Sequence, residues 1–263
     1  MKNNTLLPWT EKYRPSDTNN IIYHKKIINT INNYILANTL PHMLFYGPPG
    51  TGKTSTIISI AKQYYGDNID NMTIVLNASE ERGIETVRTR IKQFVITKGV
   101  DVNNFKLVIL DEIDAMTDDA QAILRKVVEK YVNNVRFCFI CNYLKKINPA
   151  IQSRCVIFRF NPIPYTIMTD FVVDICFKEN ITITQNAINL IIKKANGDLR
   201  KTLNILQSLH MHNYINNSTV HINEKSVSTI LSCPTQKNIV NILNYVQEQP
   251  LSNAITYVLN ILS

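Results

Sequence analysis

The octapeptide Gly47-Pro48-Pro49-Gly50-Thr51-Gly52-Lys53-Thr54 constrains this chain more than any other feature. It fits the pattern G-x-x-x-x-G-K-[ST] at every position and stands directly behind the apolar run Met43–Tyr46. The glycines let backbone N–H groups turn inward around phosphate oxygens, and a helix starting at Lys53 adds the positive end of its dipole. In such a loop the lysine reaches the β- and γ-phosphates and the hydroxyl of Thr54 is set on Mg²⁺, with Ser55 following in the first helical turn. A glycine turn arising by chance would not also be flanked by a strand and a helix. A phosphate-binding α/β layer is therefore expected.

The rest of the chain reads consistently with that layer. Residues 1–20 carry Pro8 and Pro15 and read as an extended arm. Helical spacing covers 21–40 and stops at Pro41. The pattern then predicts strands over 43–46, 73–76, 106–110, 135–141 and 156–160, separated by helices over 53–65, 84–98 and 117–131. Strands alternating with helices in this way imply a parallel sheet with helices on both faces. Beyond Pro162 and Pro164 the strand signal fades. Helices are expected over 165–178, 185–195 and 199–212, forming a small all-α domain, and further helical stretches over 224–231 and 235–262. The expected division is an α/β core over 1–161, a helical domain over 162–231 and a short helical segment over 232–263.

A second chemical half comes from Leu107-Val108-Ile109-Leu110-Asp111-Glu112. An apolar strand ending in Asp111 delivers a carboxylate to the Mg²⁺ shell at the edge where ligands of such sheets bind. Glu112, one residue on, is placed to polarise an attacking water. Two acids capping a strand end would carry little meaning alone; paired with the phosphate loop they complete a nucleotide site.

Composition narrows the partners and the compartment. The 263 residues carry a net charge of +8, which fits a polyanionic partner or a solubilising surface. No stretch approaches the roughly 20 consecutive apolar residues of a membrane helix, and the first five residues lack the apolar run of a secretory signal. A soluble, intracellular protein with no membrane partner is expected. Five scattered cysteines do not form a secreted disulfide framework. Cys138 and Cys141 make a CxxC inside an apolar run with no second CxxC, so they read as buried small hydrophobes rather than half a zinc site.

These pieces together resemble the AAA+ ATPases, and within them the small subunits of sliding-clamp loaders, the replication factor C family. Pro8-Trp9-Thr10-Glu11-Lys12-Tyr13-Arg14-Pro15 is similar to the family's signature arm. Asn77-Ala78-Ser79-Glu80-Glu81-Arg82-Gly83-Ile84 is similar to a box usually written with aspartates where this chain has Glu80, Glu81 and Glu85. Asp111-Glu112-Ile113-Asp114 resembles the family's Walker B, with Ile113 replacing the usual alanine. Cys141-Asn142-Tyr143, Ser153-Arg154-Cys155 and Gly197-Asp198-Leu199-Arg200-Lys201 follow in family order, so the resemblance covers about residues 8–210.

The resemblance implies an AAA+ core followed by a helical lid, and roles for particular residues. Thr10, Arg14 and Ile22 match positions lining the adenine pocket. Asn142 matches sensor 1, an amide near the γ-phosphate or the attacking water, and Arg200 matches sensor 2. Arg154 matches the arginine finger that serves the neighbouring subunit's ATP. Arg82, Arg88 and Lys92 match the DNA-facing surface, although a solvated helix face would look the same. The stretch from Phe94 to Asn104 matches the region that touches the clamp. Arg125 and Glu129 match a pair coupling neighbouring subunits, and equally an i,i+4 surface ion pair. ATP and Mg²⁺, the other clamp-loader subunits of a hetero-pentamer, a sliding clamp and primer–template DNA are the implied cofactors and partners, in a nucleus or a viral replication compartment. About thirty residues follow Pro234, fewer than the family's collar bundle, so a shortened collar is implied, either because the chain is truncated or because its assembly relies on other contacts. Alternatives are a collar-less, non-catalytic scaffold, against which the intact site residues argue, and another AAA+ DNA motor such as a branch-migration helicase.

Overall fold

The computed structural model describes residues 7–79, 84–96, 105–214 and 220–231, together with 240, 242–244, 246–247, 253 and 255. The elements run α1 (Trp9–Lys12), α2 (Lys25–Leu36), β1 (Met43–Tyr46), α3 (Lys53–Tyr65), α4 (Ile69–Met72), β2 (Thr73–Asn77), α5 (Ile84–Ile96), β3 (Lys106–Asp111), α6 (Asp118–Tyr131), β4 (Val135–Cys141), α7 (Pro149–Gln152) and β5 (Val156–Arg159). There follow α8 (Tyr165–Lys178), β6 (Ile181–Ile183), α9 (Gln185–Ala195), α10 (Leu199–Tyr214), β7 (Val220–Ile222) and α11 (Glu224–Ile230).

The first five strands form one sheet in the order β2-β3-β4-β1-β5, every neighbouring pair parallel. The three inner strands β3, β4 and β1 are apolar at most positions and buried on both faces, whereas the edge strands β2 and β5 expose Val75 and Ile157. Leu44, Val108, Leu110, Phe137, Phe139 and Cys141 meet Ile91 of α5 and Leu124, Val127 and Val128 of α6 on one face. Met43, Phe45, Leu107, Ile109, Cys138 and Ile140 meet Ile31 of α2 and Ile57 and Ile60 of α3 on the other. The two cysteines of the CxxC thus point to opposite faces, as residues three apart in a strand must. Both are buried free thiols, and burial pushes the Cys141 thiol up to about 12. They are core residues.

Sequence and structure part company at several places, among them the end of α2 at Leu36 instead of residue 40 and the unexpected short helices α4 and α7. The arm is not simply extended: Trp9–Lys12 makes one helical turn, with the Pro8 carbonyl accepting from the N–H groups of Glu11 and Lys12, and Trp9 is buried. Pro8 precedes this turn and Pro15 follows it, so neither proline interrupts it. The helix predicted from residue 21 starts at Lys25, because His24 adopts a left-handed backbone (φ 67°) that no helix accepts. The helical region also contains a two-stranded parallel ladder, β6 with β7. Three-residue strands are too short to display a period in the sequence.

The chain divides into two compact units, residues 1–167 with 197–200 and residues 168–196 with 201–263. The second unit buries Met168, Phe171, Val172 and Ile175 of α8, Ile188, Ile191 and Ile192 of α9, and Leu206 and Leu209 of α10. Its α9 and α11 are capped by Thr184 and Asn223, whose side chains accept from first-turn N–H groups. The segment predicted as a partial collar, 232–263, lies almost wholly outside the described residues.

His42, just before β1, ties three strands together. Its carbonyl accepts from Val156 N–H at 2.8 Å and its Nδ1 accepts from Phe137 N–H at 3.2 Å. Accepting at Nδ1 requires the neutral ring, and burial followed by the positive charge of Arg136 lowers its pKa from 6.5 to about 4. The unfolded chain takes up this proton near pH 6.5 and the folded one only near pH 4, so stability falls as pH drops through that window. The loss per pH unit is at most about 1.4 kcal/mol. Urea unfolding at pH 7 and pH 5 should show this drop, and His42→Gln should make the difference smaller.

Candidate nucleotide site

The phosphate loop joins β1 to α3 at the C-terminal edge of the sheet. Gly47 has φ 149° and lies so close to the Phe160 carbonyl that an added Cβ would fall 2.0 Å from its oxygen. Gly50 has φ 67°, and the Asp198 carboxylate occupies the space a Cβ would need. Leu199 N–H also donates to the Gly50 carbonyl at 3.1 Å. Side chains cap α6, α7, α9 and α11, whereas α3 begins at Gly52 with no side-chain cap. No side chain therefore competes for its first-turn N–H groups, an arrangement suited to an anion.

Lys53 is buried and gathers the loop. Its Nζ donates to the carbonyls of Gly47 at 2.7 Å and Pro48 at 2.8 Å and to Asn142 Oδ1 at 3.0 Å. Burial lowers its pKa, opposed chiefly by the negative charge of Asp111, and the Arg200 guanidinium adds a smaller push downward. The Thr51 hydroxyl holds the Pro48 carbonyl at 2.9 Å from the other side. Thr54 Oγ1 donates to Asp111 Oδ2 at 2.6 Å, while Asp111 Oδ1 accepts from Glu112 N–H at 2.9 Å. Glu112 is exposed and left-handed, with φ 57°, a costly conformation for a residue with a side chain and one that clusters at functional sites.

Strand order accounts for this meeting. Because β4 lies between β1 and β3, the chain leaving β4 delivers Asn142 between the phosphate loop and Asp111. The hydroxyl of Thr54 and the carboxylate of Asp111 are suited to Mg²⁺, which takes oxygen ligands and is usually held by one or two protein groups plus phosphates. Among the described residues no cluster of three or more His, Cys, Asp or Glu could hold a metal unaided.

The remaining sequence-predicted positions are spread around this centre. Pro48 and Pro49 are exposed on the loop, and Ser55 is half-buried in the first turn of α3. Arg200 is the second residue of α10, and its charge is felt at Lys53. Thr10, Arg14 and Ile22 belong to the N-terminal arm, which is fastened to α3 by Ser59 Oγ donating to the Pro15 carbonyl and Thr18 Oγ1 donating to Gln63 Oε1. Arg14 pairs with Glu11 at 3.3 Å. Arg88 and Lys92 are exposed one turn apart on α5. Arg82 and the stretch 97–104 lie outside the described residues.

Arg154 brings an arrangement that spacing alone did not reveal. Its Nη2 meets Glu129 Oε1 at 2.6 Å and its Nη1 donates to the Ala150 carbonyl at 2.6 Å, while Arg125 Nε lies 3.4 Å from the same glutamate oxygen. The i,i+4 pair read from the sequence is thus two members of a three-residue cluster. Asp114 and Asp198 were also passed over. Their signals were present as acids inside the Asp111–Asp114 and Gly197–Lys201 segments, but what they touch depends on residues far along the chain.

Comparison with known proteins fits this geometry. The model of the ATPase family associated with various cellular activities (AAA) matches residues 43–163, and that of the RFC1-like AAA+ ATPase lid domain matches residues 168–217. Replication factor C subunit 5 of Homo sapiens is 45% identical over 249 residues, covering 94% of this chain and 72% of the human one. The chain belongs to the replication factor C subunit family. Replication factor C subunit 3 of Schizosaccharomyces pombe is 51% identical over 206 residues, covering 78% of this chain and 60% of the yeast one. The chain therefore spans only part of the length of these relatives. Among solved structures, the RuvB Holliday junction branch migration motor of Thermotoga maritima has the same fold, with a TM-score of 0.65 at 15% identity, covering 90% of this chain and 80% of that one. A nucleotide-binding AAA ATPase core followed by a helical lid is the architecture of this family member, and none of its described helices is long and apolar enough to cross a membrane.

Proposed function

We propose that this chain is an ATP-hydrolysing subunit of a sliding-clamp loader, working beside related subunits in a ring during DNA replication, in a nucleus or a viral replication compartment. The observation that carries the reading is the meeting of Lys53, Asn142, Thr54 and Asp111 at one sheet edge, on a chain of the replication factor C family. Lys53 binds the β- and γ-phosphates, exchanging its loop carbonyls for phosphate oxygens, and the uncapped start of α3 adds N–H donors. Thr54 and Asp111 would hold Mg²⁺, which when bound neutralises charge on the phosphate oxygens. Glu112 orients the attacking water and accepts its proton. Asn142 steadies that water or the γ-phosphate, and Arg200 reports the γ-phosphate to the lid. Thr10, Arg14 and Ile22 line the adenine pocket.

Arg154 lies on the surface, where it serves the ATP of a neighbouring subunit. Its guanidinium stabilises charge building on the transferred phosphoryl, an effect worth roughly 10³–10⁵ in rate. Arg88 and Lys92 on α5, with Arg82, hold DNA by its phosphates rather than its bases. ATP then acts as a switch: binding draws the subunits together around an open clamp, and primer–template DNA triggers hydrolysis and release.

The test is ATP turnover by the assembled complex. Turnover should rise when clamp and primer–template DNA are added together, and Arg154→Ala should remove the part of that rise due to the site it serves. Equal turnover with and without DNA and clamp would sink the clamp-loader reading.

A further inference from the structure

We infer that Asp114 is the positioning residue for Asn142, holding the chain as it leaves β4 so that the amide of Asn142 faces Lys53. The inference rests on the role proposed above for Asn142.

The β3–β4 ladder ends at Leu110 opposite Phe139, two residues before β4 itself ends at Cys141. Past that point the ladder offers the strand exit no acceptor, and the part-buried N–H of Asn142 needs one. Asp114 supplies one. It stands in a 3₁₀ turn, Ile113–Ala115, held down by the fully buried Ile113 and by hydrogen bonds from Ala115 N–H to the Glu112 carbonyl and from Met116 N–H to the Ile113 carbonyl. From this fixed turn a single carboxylate oxygen, Oδ2, accepts from the N–H groups of both Asn142 and Tyr143, each at 3.2 Å. Two consecutive peptides are thereby fixed at the point where the Asn142 side chain departs toward Lys53 Nζ, 3.0 Å away.

Both bonds end on one oxygen, and this makes a specific demand. A side-chain amide oxygen has two lone pairs and can accept both N–H groups, so the shape of an aspartate is required here but not its charge. The competing explanation is electrostatic, since the negative charge of Asp114 is also felt by the Lys53 ammonium. The two explanations predict opposite behaviour for Asp114→Asn.

The experiment compares wild type, Asp114→Asn, Asp114→Ala, Asn142→Ala and the Asp114→Ala/Asn142→Ala double variant. Each is assembled in its complex, with the Lys53→Met rate taken as the zero for this site. Asp114→Ala is expected to slow hydrolysis about 10²-fold, the scale of a misplaced reacting group, while the Kd for ATP stays within about threefold. Asp114→Asn should retain most of the wild-type rate. The double variant should be no slower than Asn142→Ala, because a residue acting through Asn142 has nothing left to position. Asp114→Asn as slow as Asp114→Ala would overturn the inference in favour of charge, and a double variant slower than Asn142→Ala would overturn it in favour of an independent role. An unchanged rate in Asp114→Ala with a slow Asn142→Ala would defeat this inference alone, whereas an unchanged Asn142→Ala would defeat the underlying reading of the site and this inference with it. Should Asp114→Ala fail to fold, Asp114→Asn decides: a near-wild-type rate supports the inference and a lost rate overturns it.

Discussion

Lys53→Met is expected to weaken ATP binding by roughly 10²–10³-fold, an effect on affinity rather than on chemistry. Methionine keeps the length and most of the volume of the side chain but removes the ammonium, which donates to Gly47 O, Pro48 O and Asn142 Oδ1. In the proposed function, phosphate oxygens take the lysine over from those acceptors. Truncating one side of a buried, hydrogen-bonded charge pair costs about 2–5 kcal/mol, and each 1.4 kcal/mol is a factor of ten in Kd. Stability should change far less. Burial already works against the charged form of Lys53, so removing the charge relieves a desolvation cost while losing its hydrogen bonds. Titration calorimetry with ATP measures the affinity, and a thermal melt without nucleotide checks the fold. Undiminished affinity in a folded variant would remove Lys53 from the phosphate site.

Glu112→Gln should separate binding from chemistry. Its side chain is exposed and makes no side-chain hydrogen bond among the described residues, and its backbone N–H, which donates to Asp111 Oδ1, is untouched by the change. Glutamine can occupy the same left-handed backbone at similar cost, so loop geometry and Mg·ATP affinity should stay within about threefold of wild type. Hydrolysis should slow by roughly 10²–10⁴-fold, the usual contribution of a positioned general base. A single-turnover time course of phosphate release, set beside equilibrium binding, reads both quantities. Unchanged release would take the base role away from Glu112.

These two candidates stand out in the sequence because their signals are local. A glycine loop between an apolar strand and a helix, and a carboxylate at the end of an apolar run, are each written within about ten consecutive residues. The inner strands were readable for the same reason: β1 and the stretch of β4 from Phe137 to Cys141 appear as unbroken apolar runs and end where expected. Local signals failed where a single backbone angle intervened, as at His24, or where an element was too short to have a period, as in β6 and β7. The paired acid and base Glu129 and Arg154 illustrate a further limit. Their 2.6 Å contact joins α6 to the residues after α7, and nothing at either position encodes the other.

By itself the sequence determined the chemical inventory: a phosphate loop at 47–54, acids at 111 and 112, an amide at 142, arginines at 154 and 200, and the α/β alternation that carries them. Hydrophobic period and turn chemistry are properties of neighbouring residues, so they can be read in line. Only the tertiary structure decided which of these groups meet. The order β2-β3-β4-β1-β5 inserts the fourth strand between the first and the third, bringing the Asn142 side chain to Lys53 and the backbone N–H groups of Asn142 and Tyr143 to Asp114. Strand adjacency follows from how both faces of the whole sheet are buried at once, a condition satisfied by residues dozens of positions apart, and no short stretch of sequence carries it.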